Sequence, residues 1–226
     1  MWTRLAALAV NALSVVATTV NAADALRSAP VPVATSAPSF FVHIGPAAVV
    51  LSESATLATE GQRLQGANIS VKPQATVAVE AGYFLTSSVA VSFTGGLPPF
   101  AEIEGAGTMA GVGRVGATTY GPMTLTAHYH FTDLGRLQPY VGAGPAFMYV
   151  FDEKDGVMAH LKVENAVGFA FQIGADYMVT DRWGLFIDLK KAILRTEAKG
   201  FYGPAPIEAD IKLDPLVIHG GISVRF

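Results

Sequence analysis

Apolar residues occupy every second position in eight stretches of this chain, at roughly 40–50, 73–84, 88–96, 119–131, 138–150, 165–178, 183–194 and 209–226. In 165–178, Val167, Phe169, Phe171, Ile173, Ala175 and Tyr177 share one parity, and Ala166, Gly168, Ala170, Gln172, Gly174 and Asp176 the other. In 183–194, Leu185, Ile187, Leu189 and Ile193 oppose Phe186, Asp188, Lys190 and Ala192. The chain closes on "PLVIHGGISVRF", where Leu216, Ile218, Gly220, Ile222, Val224 and Phe226 oppose Val217, His219, Gly221, Ser223 and Arg225. A period of two is the signature of a strand with different surroundings on its two faces.

The connections alternate in length. Short ones lie at 85–88, 132–138 and 180–183, and long ones at about 51–72, 97–118, 151–164 and 195–208. This pattern predicts an all-β fold: an eight-stranded antiparallel transmembrane β-barrel with short periplasmic turns and long extracellular loops. A soluble β-sandwich also alternates along its strands but has no reason to alternate its connections. Apolar residues then face lipid, and small or polar ones face the lumen. Tyr83, Tyr129, Phe131, Tyr177, Trp183 and Phe226 fall near the short-turn ends, where an interfacial aromatic girdle belongs. Phe226 ends the closing strand and is the expected assembly signal for the barrel-assembly machinery.

Composition sharpens this picture. Hydrophobic residues make up 51% and charged residues only 15%, against about 25% charged in soluble domains. Mean hydropathy is +0.40. Net charge is −3, so nucleic acid is not an expected partner. There are no cysteines, which excludes disulfides and thiol chemistry. Residues 1–22 read as a secretory signal peptide: Arg4, an apolar run over Leu5–Val20, and small residues before a cut after Ala22. Residues 23–39 are small and proline-rich, a flexible periplasmic segment, and 40–226 form the barrel. No later run of about 18 apolar residues predicts a spanning helix. The expected location is the bacterial outer membrane, with outer-membrane lipid as a partner.

Eight strands enclose a lumen that side chains nearly fill. Parity and strand direction place His43, Glu80, Ser92, His128, His130, Asp176, Asp188 and Arg225 in a polar lumen floor, with Glu80 toward mid-height. Buried charges there must pair. Above the floor the inward positions turn apolar: Ala146, Met148, Leu213 and Val217, with Leu97 and Phe100 at a loop base. Such a funnel suits a greasy solute. Pro122, Pro145 and Pro215 interrupt strand patterns and favour bulges or openings in the wall.

Other chemistry is weaker. His43, His128, His130 and His219 all point inward, but they lack a metal-site spacing, and no metal or cofactor is expected. Ser92, His128 and Glu80 match a hydrolase set by residue type, but no nucleophile motif frames Ser92 and the trio faces the lumen. "GVGRVG", residues 111–116, has the spacing of a dinucleotide loop without its strand–helix context. The "FDEK" run at 151–154 starts a solvated loop. Long outer loops also carry recognition, with phage, toxin or host ligands as candidates.

The stretches "LTAHYHF" (125–131), "LQPYVGAGPAFMYVFDEK" (137–154), "FQIGADYMVTDRWGLFIDLKK" (171–191), "IKLDPLVIHGGISVRF" (211–226) and "LPPF" (97–100) resemble the OmpW family of small outer-membrane proteins. The resemblance covers nearly all of the chain after the leader. It implies an eight-stranded barrel with a largely hydrophobic lumen. It also implies passive passage of small hydrophobic molecules, which enter from outside and leave sideways through the wall, and no enzymatic activity. One departure is Val167, where relatives often carry a bulky tryptophan. The alternatives are a structural or adhesion barrel acting through its loops and, further off, a lipid-modifying enzyme.

Overall fold

The computed structural model describes residues 40–226; the leader and proline-rich segment read from the sequence lie outside them. Fifteen strands occur among the described residues: β1 (Phe40–Val50), β2 (Ser54–Thr59), β3 (Gln62–Arg63), β4 (Ala67–Val71), β5 (Gln74–Phe84), β6 (Val89–Gly96), β7 (Phe100–Gly107), β8 (Arg114–His130), β9 (Leu137–Asp155), β10 (Ala159–Val163), β11 (Ala166–Met178), β12 (Trp183–Ile193), β13 (Arg195–Tyr202), β14 (Ala205–Lys212) and β15 (Leu216–Arg225). Eight of them pair antiparallel in the order β8-β6-β5-β1-β15-β12-β11-β9, and β9 pairs back onto β8. The sheet has no edge and forms a closed transmembrane barrel. Hydrocarbon requires this, since an open edge would strand backbone donors and acceptors away from water.

The short turns carry a repeated device. In "LTSSV" and "VTDRW", Thr86 and Thr180 each accept two backbone N–H groups through Oγ1. Ser88 and Val89 donate to the first, and Arg182 and Trp183 to the second. A threonine that bonds backbone two and three residues on stabilises a tight reversal. Chain closure is local as well: Phe226 N–H donates to Phe40 O at 2.9 Å.

The outward face of the wall is apolar. Ile173, Leu185, Ile187, Ile193 and Ile222 are all exposed, and no water-soluble surface of this size would be so greasy. Among the described residues no helix is long and apolar enough to cross a membrane; this chain crosses with strands.

Two expectations are corrected. The stretch 209–226 is not one strand. It breaks at Leu213–Pro215, where Asp214 takes φ +33 and Pro215 follows, so β14 and β15 are separate. The long connections are also largely ordered. β8 and β9 rise well beyond the predicted ends at 119 and 150. β7 pairs onto the upper part of β8 and β4 onto β7, and β10-β13-β14-β2-β3 form a second sheet of five strands. The alternation that builds them, as in "ANISV", is too short to stand out from loop sequence.

Candidate functional site

The barrel interior has two levels. The lower one is a dense polar network. Lys190 Nζ lies 3.0 Å from Glu80 Oε2 and 2.6 Å from Asp188 Oδ1. Gln172 Nε2 donates to Asp188 Oδ2 at 2.6 Å, and Tyr140 Oη donates to the same oxygen at 3.0 Å. Ser92 Oγ donates to Glu80 Oε1 at 2.6 Å. His43 Nε2 approaches Asp176 Oδ1 at 2.8 Å as an ion-pair contact rather than an aligned hydrogen bond. Arg225 Nη2 donates to the other Asp176 oxygen at 2.8 Å. The predicted floor residues His43, Glu80, Ser92, Asp176, Asp188 and Arg225 thus come together across six strands, with Glu80 in the same network as the rest, whereas His130 packs among the Phe41, Phe84 and Tyr140 rings, its ring nitrogens without a hydrogen-bond partner among the described residues.

Aromatic plates fill the spaces between these groups. Phe186 stacks on His43 at 4.3 Å and meets His219 edge-on at 4.6 Å. Tyr140 stacks on His128 at 5.4 Å. Two glycines make room for this packing: a Cβ on Gly174 would run into the Tyr140 ring, and one on Gly82 into Phe41.

The alternative chemistries look different in three dimensions. Ser92 Oγ is 3.0 Å from His128 Nε2, but Glu80 sits on the same side, 3.3 Å from that nitrogen. His128 Nδ1, which a triad acid must hold, has no partner. Tyr140 packs against both His43 and His128, and Phe186 against both His43 and His219, while His128 and His130 stand 5.6 Å apart. Glu80, Asp188 and His219 bring one donor atom each within 4.8 Å of one another, but the Lys190 ammonium bridges the two carboxylates.

Above the network lie two small apolar cavities, about 60 and 50 Å³. They share Val49, Pro122, Leu194 and Pro215. Lys190 forms part of the floor of the lower one, where Ala146, Val217 and Leu97 also stand. Met148 and Leu213 line the upper one. Phe100 lines neither: it points outward with Lys154 Nζ 5.3 Å over its ring. Its neighbours on the opposite parity, Ala101 and Ile103, take the inward place. With Ile69 and Val71, they are lining residues that the sequence reading missed, because they lie in segments taken as loops; Ile211, also missed, lies within the predicted strand 209–226 on the same parity as Leu213.

The wall beside the lower cavity is incomplete. Pairing of β6 with β8 ends at Thr94–Thr124. The next backbone bond across that seam is Tyr120 N–H to Pro99 O, after which β7 takes over at Phe100–Thr119. Pro122, in the gap, has no N–H to give. The other prolines act differently. Beside Pro145 the β8–β9 ladder skips two residues and resumes at Ala127–Ala143, and Pro215 O accepts from Ala192 N–H at 3.0 Å. At the open seam the cavity lining changes face: lumen-side Ala146 and Val217 are joined by outward Leu97, Met123 and Phe147.

A sequence model of the OmpW family matches residues 36–226. The chain belongs to the OmpW family. It is a bacterial outer-membrane protein, similar to the outer membrane protein AlkL of Ectopseudomonas oleovorans, with 32% identity over 74% of this chain and 72% of that one. It is also 32% identical to the dibenzothiophene metabolism operon protein DoxH of Pseudomonas sp. (strain C18), over 81% of this chain and 87% of the relative. The solid-state NMR structure of AlkL in lipid bilayers superposes with TM-score 0.67 at 29% identity, covering 88% of this chain and 95% of that one. The crystal structure of OprG from Pseudomonas aeruginosa gives TM-score 0.78 at 20% identity over 84% and 96%, a likeness of fold. These OmpW-family relatives are named as outer-membrane and operon proteins, not as enzymes.

Proposed function

We propose that this OmpW-family barrel is a passive route for small hydrophobic molecules, taken in at the extracellular mouth and released sideways into the membrane through the β6–β8 seam. The observation that carries the reading is the lower cavity's lining, which runs from lumen-facing to lipid-facing residues through a stretch of wall without backbone pairing. The polar network beneath closes the downward path. An apolar solute loses little on leaving a dry cavity for hydrocarbon, whereas ions and sugars would have to shed their water. The resting cavities are smaller than the ~150 Å³ void that holds a benzene-sized guest. Passage therefore needs side chains to yield, and Met123 and Met148 are flexible enough to do so. The name of the DoxH relative refers to metabolism of an apolar sulfur heterocycle, which agrees with a greasy cargo.

The absence of native cysteines makes a clean test. A Cβ built on Gly95 lies 3.9 Å from Met123 Cγ across the seam, so cysteines at the two positions face each other at close range. Cells carrying Gly95→Cys/Met123→Cys should take up a medium-chain alkane as slowly as cells without the protein when the bond is oxidised. Reductant should restore the rate, and uptake of a small sugar should not change. Alkane uptake indifferent to oxidation would overturn the lateral route.

A further inference from the structure

On the second sheet, like charges face each other. Arg195 pairs with Lys212 across β13 and β14, and one row further out Glu197 pairs with Asp210. Like charges directly opposite on neighbouring strands are destabilising, and exchanging one member of each row would give two favourable pairs. The fold alone therefore gives no reason for this order. Arg195, Lys212 and Arg63 share a polar surface hollow of about 790 Å³ with Ser54, Thr56 and Asn165, and Glu164 and the acidic row of Glu197 and Asp210 line it as well. Among the described residues no carboxylate oxygen comes within 4.0 Å of Arg63, Arg195 or Lys212.

The height of the basic row is informative. Exposure alternates without a break from Trp183 through Lys199, so Arg195 lies on the lipid-facing side of the wall. Strand β12 has 11 residues. Its ten steps span about 33 Å along the strand and about 25 Å of height at the ~40° tilt of such barrels, which is the height of a barrel's apolar band. Ile193 thus marks the top of the hydrocarbon, and Arg195 stands one outward-facing position above it. Lys191 bends toward the same level, its ammonium donating to Asp214 O.

We propose that this hollow binds the phosphorylated sugar headgroup of an outer-leaflet glycolipid. Arg195 and Lys212, with Arg63, take the phosphate, and the hydroxyl, amide and carboxylate groups take sugar hydroxyls. Arginine suits phosphate through its forked donors, and cations at headgroup height attract anionic lipid. The acidic row repels phosphate from the outer part of the hollow and fixes which way the headgroup lies.

The test uses the full chain, refolded into phosphatidylcholine nanodiscs containing diphosphorylated lipid A, dephosphorylated lipid A or neither. Bound lipid is counted by native mass spectrometry after detergent exchange. Wild-type protein should retain the diphosphorylated lipid about tenfold better than the dephosphorylated one. Arg195→Gln/Lys212→Gln should lose that preference, and Lys199→Gln, beyond the acidic row, should keep it. Gel mobility of unboiled samples verifies that each variant is folded. Equal retention by wild type and the double variant would overturn the proposal. Displacement of the lipid by millimolar inorganic phosphate would also overturn it, by making the hollow a site for free anions.

Discussion

Lys190 reaches across the lumen to Glu80, 3.0 Å away, although β1 and β15 stand between their strands in the wall. This pair braces opposite sides of the barrel and, with Asp188, sets the floor beneath the apolar cavities.

Removing the cation alone should therefore be costly. Lys190→Met leaves Glu80 and Asp188 buried without their counter-ion, and about 3–5 kcal/mol of stability should be lost. Urea unfolding of the refolded barrel, followed by tryptophan fluorescence, measures it. Adding Glu80→Gln to Lys190→Met should cost less than the sum of the two single changes. Simple additivity would mean that the two groups do not depend on each other.

Polar groups in the upper cavity should obstruct cargo more than they disturb the fold. Met148→Gln or Leu213→Asn places an amide where the lining is apolar. Alkane uptake should fall about tenfold, as ~1–3 kcal/mol of polar burial implies, with no change in sugar uptake. If deleting an outer loop abolished activity while both variants kept it, the protein would act through its loops.

One outer turn should loosen only in acid. The Asp155 carboxylate accepts N–H bonds from Leu161 and His160, both at 2.9 Å, and these bonds hold its pKa below the usual carboxylate value. A depressed folded value gives stabilisation that is complete above the unfolded pKa of about 3.9 and is lost as pH falls through the lower folded value. Amide exchange at His160 and Leu161 should stay flat from neutral pH down to about pH 4, once the intrinsic rate is divided out, and quicken below it. Asp155→Asn should exchange faster at every pH. Protection that declines between pH 7 and 5 would point to another group.

The last residue should matter for assembly more than for the finished barrel. Phe226 is largely exposed, and its backbone zips to Phe40. Deleting it should lower the yield of heat-modifiable barrel in the outer membrane severalfold, while protein refolded in vitro should unfold within about 1 kcal/mol of wild type. Equal yields in cells would remove Phe226 from the assembly step.

The sequence by itself determined the wall. A period of two assigns each residue to lipid or lumen, because successive side chains in a strand cannot share a face. The inward positions of His43, Glu80, Asp176, Asp188 and Lys190 were therefore legible without coordinates. Alternating connection lengths fixed the strand number and direction, and the narrowness of eight strands brings the polar inward residues within reach of one another.

Only the tertiary structure decided where the backbone ladder of the wall breaks. Pro122, Pro145 and Pro215 look alike in sequence, since each removes one donor. Whether a gap follows depends on the partner strand: beside Pro145 the ladder resumes, while beyond Thr94 and Thr124 β6 and β8 diverge. Phe100 was misread for a related reason. Its face depends on the register with which β7 joins β8, where Phe100 pairs with Thr119 and Ala101 with Thr118. The basic row of Arg195 and Lys212 is invisible along the chain as well, because 17 positions of sequence separate two residues that pairing makes neighbours. Alternation is a local property of the backbone, so sequence records it; register and closure belong to pairs of strands, and only the folded chain holds them.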